Sequence, residues 1–239
     1  MSDRKKLFEE YFDSIFARSN LFSVEEYENS AMDFDSHYGN FLPVDRDAPI
    51  IDIGCGAGHF LYYLKKKGYS NFLGIDISAG QVEFCRNNIS PNVELADAFE
   101  FLTNKINVYG VISANDVLEH IPKEKVIPFL KLIYQALMTR GILFLRLPNM
   151  SNPFALDSRY RDFTHECGFT EKSIYQVLYV AGFRDIHIYP SQIRRKSVKS
   201  YLSWMLISLV HAVLKKLFWH QGFTAPEILS GRLIVIAKK

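Results

Sequence analysis

The stretch Ile50-Ile51-Asp52-Ile53-Gly54-Cys55-Gly56-Ala57-Gly58-His59-Phe60 sets three glycines on alternate positions behind a run of aliphatic residues. After a helical pattern it is followed by Phe72-Leu73-Gly74-Ile75-Asp76. An apolar run that ends in closely spaced glycines, opens a helix and leads to a second apolar run closed by an acid predicts a strand, tight loop, helix and strand that hold a nucleoside. The glycines are expected to let the backbone approach the ligand and to turn the loop's N–H groups toward it. Asp76 is expected to accept hydrogen bonds from both ribose hydroxyls; a helix N-cap is its competing role. A second group of reactive side chains lies in Arg159-Tyr160-Arg161-Asp162-Phe163-Thr164-His165-Glu166, beyond the apolar run that ends at Pro148. His165 can take a proton near neutral pH, and Asp162 stands three residues earlier, where it could orient the imidazole. Arg159 and Arg161, with Tyr160 between them, suit a phosphate or carboxylate on a substrate. The plainer alternative is that Thr164 or Thr170 caps the next helix while His165 bonds only its own loop.

The G-x-G-x-G spacing, with Asp52 just ahead of it, differs from the G-x-G-x-x-G dinucleotide fingerprint. It resembles motif I of the class I S-adenosylmethionine-dependent methyltransferases. Three later segments continue the resemblance in order: Asp76, then Val93-Glu94-Leu95-Ala96-Asp97-Ala98, then Val111-Ile112-Ser113-Ala114-Asn115-Asp116-Val117-Leu118-Glu119-His120-Ile121. It implies S-adenosyl-L-methionine as cofactor, with Gly54, Gly56 and Gly58 in its loop and Asp76 and Ile77 at its ribose. Asp97 would take the exocyclic amine of adenine and the Ala98 N–H a ring nitrogen. Asp52 and the backbone of Asn115 would meet the ammonium end, with Asp116 beside them and His120 toward the substrate. A surface turn for Asp97, a plain loop acid for Asp116, and capping or packing for Glu119 and His120 are the competing roles.

The segment Asp162-Phe163-Thr164-His165-Glu166, then Gly168-Phe169-Thr170-Glu171-Lys172-Ser173 and Ala181-Gly182-Phe183, is similar to the branch of that superfamily found in bacterial O-antigen, lipopolysaccharide and capsule clusters. That resemblance implies an O-methyltransferase acting on a sugar, a phosphorylated sugar or a nucleotide-linked group. A small-molecule O-methyltransferase of quinone or secondary metabolism, and a non-catalytic S-adenosylmethionine-binding protein, are the alternatives.

Elements that position these residues are legible from periodicity. Strands are expected near 50–54, 72–76, 92–95, 108–114, 141–147, 184–190 and 231–237, and helices near 57–67, 79–88, 123–138 and 170–181. Two further helices, near 4–17 and 23–38, form an N-terminal cap. Alternating strands and helices predict a Rossmann-like, seven-stranded, mostly parallel sheet whose ligand lies beyond the carboxyl ends of the strands. The last two strands lack a helix of ordinary length between them, which fits a reversed final strand. The chain therefore divides into a helical cap (1–45), a cofactor-binding core (46–191), an insertion (192–226) and the last core strand (227–239).

With 239 residues, 48% of them hydrophobic, the chain can bury one full α/β core. Its 28 basic and 26 acidic residues leave a net charge of +2, so no global field points to nucleic acid. Three cysteines and no Cys/His cluster at metal-binding spacing argue against disulfides and against a metal. The N-terminal residues lead into an acidic, aromatic stretch unlike a signal core, so a reducing, cytoplasmic setting is expected.

The insertion has the most unusual composition. Arg194, Arg195, Lys196 and Lys199 precede an apolar stretch, Tyr201–Leu214, and Lys215 and Lys216 follow it. That stretch is too short to span a bilayer, and Ser200, Ser203, Ser208, His211 and Lys215 form a narrow polar stripe on a helix. Basic flanks with Trp204 and Trp219 suit a helix lying in an anionic membrane surface. A lid on the domain and a homodimer contact are the alternatives for residues 192–219.

Overall fold

In a computed structural model, residues 3–11, 14, 23–192 and 197–239 are described. Short aliphatic runs form the strands β1 (Ile50–Ile53), β2 (Phe72–Asp76), β3 (Val93–Leu95), β4 (Tyr109–Asn115), β5 (Leu137–Pro148), β6 (Asp185–Pro190) and β7 (Arg232–Lys238). They make one sheet of order β3-β2-β1-β4-β5-β7-β6. β1 pairs in parallel with β2 and with β4, and only β7 runs against its neighbours. All four residues of β1 are buried, because both faces of a parallel sheet carry helices. The two-residue side-chain period then splits the core in two. Ile50, Val111, Phe144 and Ile234 face one helical layer, and Ile51, Ile112, Leu143 and Val235 face the other.

The first layer holds α2 (Val24–Tyr38), α3 (His59–Lys66) and α4 (Ala79–Asn88), which bury Phe34, Tyr38, Phe60, Leu64, Val82 and Cys85. The opposite layer holds α6 (Lys123–Ala136) and α8 (Glu171–Ala181), whose Val126, Phe129, Leu130, Ile133, Ile174 and Leu178 recur at helical spacing. Thr170 starts α8 with a capping box in which Ser173 takes the place of the usual acid. The α2 side chains expected in a cap thus pack directly into the sheet's own core. Short helices α1 (Asp3–Glu9), α5 (Ala98–Leu102) and α7 (Ala155–Tyr160) line the ligand end.

Three expectations are corrected. β5 begins at Leu137, four residues early, through an irregular register against Tyr109 and Val111. The residues read as a bare substrate loop contain α7. Most of all, β6 and β7 are joined by α9 (Val198–His220), a helix of 23 residues. It continues well past Leu214 because Lys215 and Lys216 are good helix formers. It therefore spans about 34 Å and is, by length and composition only, long and apolar enough to cross a membrane, unlike the short apolar stretch read from sequence. Arg194, Arg195 and Lys196, read as its basic flank, lie outside the described residues, as does Ile15 of the first expected helix.

No residue of α9 is buried. Its less exposed stripe is Ser200, Trp204, His211, Leu214 and Phe218, and its outer face is Leu202, Met205, Leu206, Leu209, Val213 and Leu217. The polar stripe thus partly faces the protein while the greasy face looks outward. The chain before it and the chain after it are both held to the domain. Ahead of the helix, the Ser191 N–H donates to Arg232 O. At its other end Lys215 Nζ donates to Glu227 O, and the Glu227 and Ile228 N–H groups donate to the Glu171 carboxylate.

Candidate active site

The carboxyl ends of β1 and β4 diverge at the point where strand order reverses, which opens a crevice. The cleft there has a volume of about 1850 Å³, above the ordinary range for a single small ligand and enough for a nucleoside cofactor beside an acceptor.

Gly54, Gly56 and Gly58 all have positive φ, of 65°, 53° and 84°. A Cβ at Gly54 would lie 2.5 Å from Val117 Cγ2, and one at Gly58 would strike Cys85 Sγ. Those two glycines are needed for left-handed backbone and for packing onto their neighbours rather than for ligand approach. The expected outward-facing amides are likewise corrected. The Gly54 and Cys55 N–H groups donate to Ile75 O, that of Gly58 to Cys55 O, and that of Gly56 to Asp76 Oδ2. The loop is latched to the end of β2.

Asp76 is the latch. Its Oδ2 takes the Gly56 amide at 2.9 Å and its Oδ1 the Ser78 amide at 2.8 Å. Burial raises its pKa, opposed by the amides of Ser78, Gly56 and Ile77. A carboxylate has about four acceptor sites, so both oxygens retain capacity for a ligand. Asp52, at 2% exposed, accepts from Ser113 Oγ at 2.5 Å. Burial pushes its carboxyl up to about 7, with the Asp76 charge adding to the shift and Ser113 and Arg146 opposing it. Asp97 caps α5, accepting from the Phe99 and Glu100 amides at 2.8 and 3.2 Å. That leaves the Ala98 N–H among the orphan donors of the helix's first turn. Ile77 and Ala98 line the same cleft.

Asn115 accepts from Tyr38 Oη at 2.8 Å, while its Nδ2 is buried without a partner among the described residues. Asp116, at φ 55°, gives Oδ2 to both Nε and Nη2 of Arg146, at 2.8 and 2.5 Å. Burial raises the Asp116 pKa, but Arg146 and Arg232 outweigh it and the net shift is downward. Arg146 escaped the sequence analysis. A charged residue inside the aliphatic run Leu143-Phe144-Leu145-Arg146-Leu147 was the available signal.

The 159–166 segment is built differently from the expectation. Arg159 donates to the carbonyls of His165 and Glu166, so its guanidinium braces the loop rather than the cleft. Tyr160, at 74% exposed, does not line the cleft, whereas Arg161, Asp162, His165 and His120 do. Asp162 does not hold the His165 ring. Its Oδ1 accepts from the N–H and Oγ1 of Thr164, at 2.9 and 2.6 Å, and its Oδ2 from Tyr11 Oη at 2.8 Å. Burial raises the Asp162 pKa, but these bonds outweigh it and the net shift is downward. Thr164 in turn contacts His120 Nδ1 at 2.8 Å. The His165 ring meets Ser158 O through Nδ1 at 2.7 Å and lies edge-on to His120, with centroids 4.7 Å apart. Burial, then the neighbouring His165, lowers the His120 pKa to about 4. Glu119, 3% exposed, lines the same cleft, and burial drives its pKa far upward, with Asp116 adding to it.

A doubly wound sheet with a reversed seventh strand, and an acid-flanked glycine loop at its switch point, define the class I methyltransferases. A family model described as a methyltransferase domain matches residues 26–188, well over half the chain, and the chain belongs to that family. It is an S-adenosylmethionine-dependent methyltransferase. No curated protein matches it. Among solved structures it is similar to an S-adenosylmethionine-dependent methyltransferase of Archaeoglobus fulgidus, with 23% identity, TM-score 0.69 and coverage of 98% of this chain and 99% of that one. A Thermotoga maritima methyltransferase, described as a possible histamine N-methyltransferase, is 13% identical with TM-score 0.65 and coverage of 96% and 97%. Phosphoethanolamine N-methyltransferase 2 of Haemonchus contortus, in complex with S-adenosyl-L-methionine, is 14% identical with TM-score 0.63 and coverage of 97% and 60%. At such identities the likeness carries the fold.

The residues present fit the cofactor. The Asn115 Nδ2 and Gln81 Oε1 atoms are buried in the cleft wall without partners among the described residues, and such atoms require a polar ligand. Asp52 sets a buried carboxyl where a cation would offset its cost.

Proposed function

We propose that the chain is an O-methyltransferase acting on a hydroxyl of a sugar, a phosphorylated sugar or a nucleotide-linked group bound for a bacterial surface glycan. When bound, S-adenosylmethionine supplies a methyl group on a sulfonium that needs no further activation. The chain's own residues then have three tasks: to seat the cofactor, to align the hydroxyl and to receive its proton. Gly54, Gly56 and Gly58 shape the loop, Asp76 and Ile77 take the ribose, Asp97 and Ala98 the adenine, and Asp52 with the backbone of Asn115 the ammonium end. Asp116 serves through Arg146, which it holds against the cleft wall.

One observation carries the choice of acceptor. Ser158 O can only accept, so His165 donates from Nδ1 and keeps an open lone pair on Nε2 in a cleft large enough for a second ligand. Such a nitrogen receives a hydroxyl proton. Asp162 acts one step away, through Thr164 on His120. Arg161, which also pairs with Asp157 at 3.5 Å, lines the cleft and suits a phosphate on the acceptor. The glycan assignment rests on the likeness of residues 162–183 to the surface-polysaccharide branch.

Helix α9 extends this reading to a membrane-borne acceptor at the cytoplasmic face of a bacterial membrane. Its outward face is apolar, its charged residues are Lys199, Lys215 and Lys216, and the return of the chain on either side of it to one domain favours a helix lying flat over one that crosses. A second copy of the chain on that face is the competing outcome. Release of S-adenosylhomocysteine is to be measured against nucleotide sugars, glycan fragments, quinone precursors and small amines. Methylation of a sugar hydroxyl is expected, and His165→Ala should slow it by about two to four orders of magnitude with cofactor affinity intact. Turnover confined to amines, or a fully active His165→Ala, would refute the assignment.

A further inference from the structure

Four Lys and Arg side chains among the described residues line the cleft: Lys125, Arg146, Arg161 and Arg232. Three of them have a partner for their charge. Lys125 stands over the Phe99 ring at 6.0 Å, Arg161 has Asp157 at 3.5 Å, and Arg146 gives Nε and Nη2 to Asp116. Arg232 has no salt bridge and no side-chain hydrogen bond among the described residues. Its backbone, by contrast, is firmly held. Asn149, 0% exposed, donates from Nδ2 to Ile228 O and Ser230 O and from its N–H to Gly231 O, while Ser230 Oγ and the Ser191 N–H both donate to Arg232 O. These bonds fix the start of β7 against the end of β5, and a guanidinium carried on fixed backbone gives up less freedom when it binds than one on a loop.

Register brings this side chain beside Arg146. Across the antiparallel pair Arg146 faces Ile234 and Pro148 faces Arg232. Directly opposed residues and those two positions along share one face of a sheet, so Arg146 and Arg232 are diagonal neighbours, roughly 7–8 Å apart. Like charges so placed repel. Asp116 and, at longer range, Asp33 act on Arg146. The Asp116 bonds use Nε and Nη2 of Arg146 and leave Nη1 without a partner among the described residues. One carboxylate is thus committed to the first guanidinium, and the second has none.

We propose that Arg146 and Arg232 form an anion subsite at the end of the β5–β7 pair, which takes a phosphate or diphosphate group on the acceptor. Two guanidiniums approaching from separate strands serve the oxygens of a phosphate, which surround one centre, better than the two coplanar oxygens of a carboxylate. β7 is two strands beyond β4 in the sheet, roughly 10 Å from the Asn115 end of the cofactor site. The anion therefore belongs to a part of the acceptor that does not react, and its binding energy selects and orients the hydroxyl. Arg232 determines specificity, while Arg146 binds from the position in which Asp116 holds it. This subsite rests on the O-methyltransferase reading for the kind of atom methylated and narrows that reading to phosphorylated sugars and nucleotide-linked groups.

The test titrates inorganic diphosphate by calorimetry into the full chain saturated with S-adenosylhomocysteine. One diphosphate per chain is expected. Arg232→Gln should weaken it by about 10–100-fold, and Arg232→Lys, which keeps the charge and loses the planar fork, by less. Tm and S-adenosylhomocysteine affinity should stay in place in Arg232→Gln, because that side chain makes no bond among the described residues. No uptake of diphosphate by the wild type, or uptake equal in Arg232→Gln, overturns the subsite. So does a matching loss of S-adenosylhomocysteine affinity, which assigns the arginine to the carboxylate of the cofactor. Weakening confined to Arg161→Gln moves the anion to the end of α7 and overturns it as well. Diphosphate bound through Arg232 by an enzyme that methylates only amines keeps the subsite and removes the hydroxyl reading. A hydroxyl methylated with one KM whether or not its acceptor carries phosphate keeps that reading and removes the subsite.

Discussion

Asp52 offers a sharp test of the cofactor site because its carboxyl is poised to titrate where experiments are easily done. Burial pushes it to about 7, Asp76 adds to the shift, and Ser113 and Arg146 oppose it. The ammonium end of the cofactor binds the ionised form and draws the proton off. Affinity should therefore rise with pH and level off above about 7. At pH 6 about one site in eleven is ionised and at pH 8 about ten in eleven, so S-adenosylhomocysteine should bind about tenfold more weakly at pH 6. Calorimetry in two buffers of different ionisation enthalpy gives a second reading. About half a proton should be released per ligand at pH 7, and close to one at pH 6.

Asp52→Asn should abolish both effects and weaken binding at pH 8 by about 1.5–3 kcal/mol, the value of a hydrogen bond to a charged group. The sign for the free protein is the reverse. An acid whose native pKa is raised favours the native state while it holds its proton, so the ligand-free chain loses this contribution as pH rises from the unfolded value of about 3.9 through about 7. Cofactor restores it. Equal affinity at pH 6 and pH 8, or proton release that persists in Asp52→Asn, would refute the placement of the ammonium group.

Asp76→Ala removes the ribose acceptor and the latch on Gly56 together, so S-adenosylhomocysteine should bind at least about 2 kcal/mol more weakly by calorimetry. Gly58→Ala combines left-handed backbone with a Cβ driven onto Cys85, and should lower stability by about 1–3 kcal/mol in urea unfolding. Arg146→Met strands Asp116; the two groups are 18% and 31% exposed, so the loss should be about 2 kcal/mol or more in the same assay, less than for a fully buried pair. Leu206→Ser with Leu209→Ser should abolish co-sedimentation with anionic vesicles at low salt without moving Tm; a wild type that ignores vesicles, or that dissociates from a dimer on these substitutions, would turn α9 into a contact between copies.

What the sequence disclosed and what it hid divide along one physical line. The strands from β1 to β7, the glycine loop and Asp76 are written in local patterns, since strand burial, left-handed turns and strand-end acids depend on near neighbours. The longest misread element, α9, departs from its pattern in a similar local way. Its apolar stretch was seen, but not that the lysines beyond it would prolong the helix by more than a turn. The partners of polar side chains are another matter, because they are set by which loops the topology folds onto one strand end. Arg159 was free to clamp a phosphate until the chain bent its guanidinium back onto the carbonyls of His165 and Glu166. Asp162, three residues from His165, found Thr164 and Tyr11 instead, and through Thr164 reached His120 from 44 residues away. Sequence proximity brings two side chains into one loop, but which lone pair meets which hydrogen is decided by packing. The convergence of Glu119, His120 and His165 therefore became visible only once the turn after β4 and the loop before α8 lay against each other.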